Sequence, residues 1–91
     1  MIAIRRDTLG QAFIQWQQHR EGWKRAWIQT RSGEKDWAET GRYLNVVWAA
    51  GEDGGPAGNA TDFPIFCDLP DEQILEAFVA SVCAVTGCRL P

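Results

Sequence analysis

Apolar positions recur along this chain first with a helical rhythm and later with one closer to strands. Across residues 7–31, Leu9, Phe13, Trp16, Trp23 and Trp27 follow one another at intervals of four, three, seven and four. At about 100° per residue these intervals keep them on one helical stripe. Asp7 or Thr8 can cap such a helix, and Arg20, which interrupts the stripe, can lay its stem over apolar neighbours while its head reaches water. The pattern predicts an N-terminal amphipathic helix. Its second half carries a conflicting signal. Gly22 costs about 1 kcal/mol in a helix interior, and residues 23–31 hold enough Trp, Ile and Thr to make a strand.

Ser32-Gly33 is a turn signal. After it, residues 42–49 are rich in aromatic and β-branched types and predict a strand, and the glycine-rich stretch 51–61 predicts an exposed loop. Residues 63–67, FPIFC, predict a short strand that Pro64 confines to an edge or a strand start. Asp68, Pro70, Asp71 and Glu72 then announce a helix over residues 70–86, stopped by Gly87. The resulting expectation for residues 1–91 is one α+β domain. It combines the N-terminal helix, a small antiparallel sheet from 42–49 and 63–67, with 23–31 as a further candidate strand, and a buried C-terminal helix. The competing architecture is all-α, with helices over 7–31, 34–49 and 70–86. No charge falls between Glu76 and Arg89, so the last helix is apolar on nearly every side. That predicts either a central core helix or a homodimer formed through residues 70–86.

Composition narrows the picture. At 45% hydrophobic and 23% charged residues, the chain has the make-up of a soluble globular domain. It has no apolar run of the roughly 18 residues that a membrane span needs, and its start lacks the pattern of a secretory signal. The expectation is a cytosolic protein without a membrane. Three cysteines, Cys67, Cys83 and Cys88, suit reduced thiols better than a disulfide framework. The net charge of −3 hides a division, with +4 on residues 1–31 and −7 on the rest. Either the halves pair internally or two faces meet partners of opposite sign.

Candidate chemistry is sparse. His19 is the only histidine and falls off the apolar stripe, as a surface residue would. His19 with the three cysteines could formally make a zinc site, but the close ligand pairs of such sites are missing. Glu52 and Asp53 stand among the loop glycines and would repel a phosphate. No catalytic residue, metal or cofactor is expected. Two binding sets remain. The acidic set Glu34, Asp36, Glu39, Glu52 and Asp53, with Trp37 as an anchor, fits a basic partner surface. The basic, Trp-containing set Arg20, Trp23, Lys24, Arg25, Trp27 and Arg31 fits nucleic acid, through phosphate pairing and base stacking.

The favoured function is therefore a small non-enzymatic protein-binding module. By analogy of size and charge, it would be a phage or mobile-element inhibitor that occludes a bacterial protein or nucleoprotein complex, in the manner of anti-CRISPR proteins. The alternatives are a nucleic-acid-binding regulator using residues 20–31 and a non-catalytic subunit of a larger complex.

Overall fold

The computed structural model describes residues 2–18, 22–30, 41–59 and 61–86. Five strands run in chain order: β1 (Arg5–Arg6), β2 (Ala12–Gln18), β3 (Gly22–Thr30), β4 (Arg42–Trp48) and β5 (Thr61–Pro64). Each pairs antiparallel with the next, so the sheet order is β1-β2-β3-β4-β5, and one helix, α1 (Asp71–Thr86), follows.

The N-terminal amphipathic helix does not form, and neither does the all-α alternative, because residues 12–18 and 22–30 are strands. The reason lies in the intervals themselves. A spacing of four keeps two residues on one face of a helix, but it is also twice the strand period of two, so Trp23 and Trp27 share a face in either conformation. The interval of three from Phe13 to Trp16 separates the possibilities, and in β2 these rings stand on opposite faces of the sheet. Leu9, which the helical stripe would bury, is 93% exposed in the β1–β2 turn. Gly10 there takes φ 82°, and Gly22 enters β3 at φ 96°, conformations that glycine reaches without steric penalty. The α+β class thus holds only loosely, as a sheet-dominated domain with one helix.

The other expected elements form with shifted bounds. β4 closely follows the expected strand, while β5 begins at Thr61 and ends at Pro64, leaving Phe66 outside the sheet. Helix α1 starts one residue late, with the Pro70 carbonyl accepting from the amides of Gln73 and Ile74. Arg42 ties its start to β4 by donating to Asp71 Oδ1 at 2.8 Å and to the Cys67 carbonyl at 2.7 Å.

Residues directly opposite one another in antiparallel strands share a face. The register Ile14↔Ala26↔Val46 and the pairs Ala12, Ile28 and Leu44 therefore line one side of the sheet. Against this side pack Leu75, Val79 and Val82 of α1, together with Ile2 and Ile65. The helix is buried on that side alone. Gln73, Glu76, Ala77, Ala80 and Ser81 are exposed, which corrects the expectation of a helix enclosed by its surroundings. Among the described residues no helix is long and apolar enough to cross a membrane.

Ile14 and Leu75 are both fully buried, one from each layer of the core. Truncating Leu75 to Ala is expected to cost about 2–5 kcal/mol, a large part of the 5–15 kcal/mol typical of a domain. A fall in the urea midpoint at unchanged slope would register it.

Candidate functional site

The sequence marked two residue sets, and the strand alternation of β3 divides one of them. Trp23, Arg25 and Trp27 stand on the side of the sheet away from α1, whereas Lys24 stands on the helix side with its Nζ 4.7 Å from the centre of the Trp48 ring. The continuous cationic and aromatic surface expected of a helix over 20–31 is therefore not assembled. Arg20 and Arg31 lie outside the described residues. So do Glu34, Asp36, Trp37 and Glu39 of the acidic set, along with His19 and Cys88. Glu52 and Asp53 are exposed on the β4–β5 loop, but Asp53 is not a free charge: Arg5 Nη2 donates to its Oδ1 at 3.1 Å. Arg6 pairs likewise with Glu72 of α1. Both ion pairs join the basic first part of the chain to its acidic remainder, so internal pairing accounts for part of the charge division.

On the side away from α1, a polar layer does the packing. Gln15 is buried, and its Nε2 amide donates to the carbonyls of Gly51, Glu52 and Gly54, the last two at 3.0 Å, holding the loop over β2 and β3. Its Oε1 accepts from Arg25 Nε at 2.7 Å. The Arg25 guanidinium lies 4.1 Å from the centre of the Phe13 ring, and Arg5 approaches the same ring at 5.2 Å. Burial, reinforced by the Arg5 charge, holds the Arg25 pKa below its ordinary value, while the Asp7 charge acts in the opposite sense. Further along this face Tyr43 donates to Gln29 Oε1, and Asn45 donates to Asp62.

Two clefts open beside this layer. Asp7, Gln11, Phe13, Arg25, Trp27 and Pro56 line one of about 200 Å³. Trp23 lines the other, of about 400 Å³, with Arg5, Gln15, Gln17 and Glu52 among its neighbours. Sequence reasoning had found Arg25, Trp23 and Trp27, but not Gln15, Phe13 or Asp7, which only the β1–β2–β3 register brings beside them.

The helix side holds a third feature. A helix is about 10–12 Å across and five strands at about 4.8 Å spacing span roughly 20 Å, so one helix covers about half the sheet. Here α1 lies along β2. The uncovered part, towards β4 and β5, forms a slot of about 240 Å³ whose walls include Trp16, Val46, Phe63, Phe78 and Val82, with Lys24 at its rim. Phe63 is 49% exposed and Trp48 39%, and just beyond the strand Phe66 and Leu69 are 67% and 48% exposed. Trp16 meets Phe78 edge to face at 5.7 Å between ring centres. Its indole N–H, although buried, has no acceptor among the described residues. Phe63 and Phe66 were visible in the sequence as residues of the expected strand 63–67. The exposure of Phe63 was not, because it follows from how little of the sheet α1 covers.

Among the described residues no three His, Cys, Asp or Glu side chains gather as a metal site would require; Cys67 is exposed and Cys83 half-buried. Replacing Gln15 with Leu would leave Arg25 and the loop carbonyls without their shared partner. The expected cost is about 1–3 kcal/mol in urea unfolding, together with faster proteolytic cutting within residues 51–55. No family model, curated protein or solved structure matches this chain.

Proposed function

We propose that this chain is a non-enzymatic protein-binding module that works by occupying a partner's surface, as an occluding inhibitor or an accessory subunit does. The observation that carries the reading is the open slot beside α1. Soluble monomers rarely leave a contiguous group of large apolar side chains in water, and where they do it commonly marks an interaction site. Phe63, about half exposed, lines this slot beside Trp16, Phe78 and Val82, and the exposed Trp48 packs against its rim residue Lys24. Aromatic residues of this kind dominate the energetics of protein interfaces.

The nucleic-acid alternative is less well supported. Of its described residues Lys24 stands on the opposite side of the sheet from Trp23, Arg25 and Trp27, and the whole chain carries −3. The acidic binding set retains Glu52 and Asp53 at the loop, and the Asp53 carboxylate is engaged by Arg5.

Immobilised wild-type protein is expected to retain one discrete protein species from an extract of its source cells. Phe63→Glu should lower that retention by on the order of tenfold or more, because a charge would be buried at the contact. Asp53→Asn, on the far side of the sheet, should leave it unchanged. Retention of nucleic acid that fades steeply with added salt would favour the alternative instead. Retention of the chain's own second copy, lost with Phe63→Glu, would identify the slot as a homodimer contact.

A further inference from the structure

The smaller cleft on the sheet face away from α1 holds two opposite charges that do not meet. On one wall, Arg25 is held by Gln15 Oε1 at 2.7 Å and stacks on Phe13, while its only other bond among the described residues, to the Gly54 carbonyl, is long at 3.4 Å. Among the described residues the Nη1 hydrogens have no acceptor and no carboxylate forms an ion pair with Arg25, in contrast to Arg5, which Asp53 neutralises. On another wall, Asp7 Oδ1 accepts from the amides of Leu9 and Gln11, each at 2.9 Å, and Oδ2 accepts nothing among the described residues. The Asp7 charge is near enough to act on Arg25, yet the two groups are fixed apart, one by its turn and the other by Gln15.

A lone guanidinium would ask for an anion and a lone carboxylate for a cation. Both in one small cleft ask for a ligand that carries the two charges together. The remaining walls are flat and apolar: the half-buried Trp27 indole, Phe13 beneath Arg25, and Pro56 on the β4–β5 loop. At about 200 Å³ the space is smaller than the 300 Å³ or more of a drug-sized pocket, so the ligand is small.

We propose that this cleft binds a free aromatic amino acid, with its α-carboxylate on the Arg25 guanidinium, its α-ammonium on Asp7 and its ring against Trp27 and Pro56. An acyl anion of the same shape would face Asp7 without compensation, and an amine would face Arg25. The site is independent of the slot beside α1, which lies across the sheet, so either can fail without the other.

The test follows the Trp27 indole N–H by NMR on the intact chain. The probes are L-phenylalanine, N-acetyl-L-phenylalanine, which lacks the ammonium, and L-phenylalanine amide, which lacks the carboxylate. The expected result is saturable displacement of the Trp27 signal at millimolar L-phenylalanine, with each of the other probes weaker by on the order of tenfold or more. Asp7→Asn keeps an oxygen acceptor for Leu9 and Gln11, so the turn should persist, and it should erase the preference over the N-acetyl compound. Arg25→Lys keeps the charge without the planar fork and should weaken L-phenylalanine binding while retaining the preference over the amide. The proposal is overturned if the Trp27 signal does not move at millimolar L-phenylalanine. It is equally overturned if either single-charge probe binds within tenfold of it, or if Asp7→Asn, with its dispersed spectrum intact, leaves the preference unchanged.

Discussion

The width of a five-stranded sheet sets the terms for everything else in this molecule. Closing one side of such a sheet takes about two helices at the usual 8–10 Å separation of packed elements, and the described chain supplies one. α1 lies over β2, so Leu75, Val79 and Val82 seal the Ile14 end of the core while Val46 and Phe63 are left at the border. The slot is the part of the sheet over which the described residues place no helix. Its apolar lining joins Trp16 of β2, Val46 of β4 and Phe63 of β5, types that favour pleated backbone, to Phe78 and Val82 of α1.

The other side of the sheet is closed by different means. Instead of a helix it uses a glycine-rich loop, and a loop cannot bury its carbonyls without donors. Gln15 and Arg25 supply them from neighbouring strands, and Phe13 provides the ring on which the guanidiniums rest. That arrangement accounts for a glutamine at 6% exposure in the middle of a strand, where an aliphatic residue would otherwise be expected. It also explains how Arg25 comes to be held in place without a carboxylate. Its fixing partner is a neutral amide, which orients the charge without cancelling it.

How far these features could be read from the sequence depends on the element. α1 was legible because Pro70, the acids after it and the Leu75–Val79–Val82 spacing agree with one another. β4 was legible from its β-branched and aromatic content. The first thirty residues misled because spacings of four fit both periods, and because β2 is buried on both sides from Ala12 to Trp16, which removes the alternation that marks a half-buried strand. Residues 23–31 were flagged as a candidate strand on propensity, and β3 occupies Gly22–Thr30. Of the candidate residues, Arg25, Trp23 and Trp27 could be picked out by type. Their partners could not, since Phe13, Gln15 and Asp7 acquire meaning only through register, and no single sequence encodes register as a local pattern.

The borders of the sheet carry one more consequence. β1 offers only two residues, and β5 ends in Pro64, which has no amide hydrogen to donate. A peptide arriving as an additional strand would find too short a ladder at one margin and an interrupted one at the other. Recruitment by β-augmentation is thereby disfavoured, and so is open-ended stacking of one copy beside the next. The described sheet leaves its faces, with their side chains, better suited to recognition than its edges.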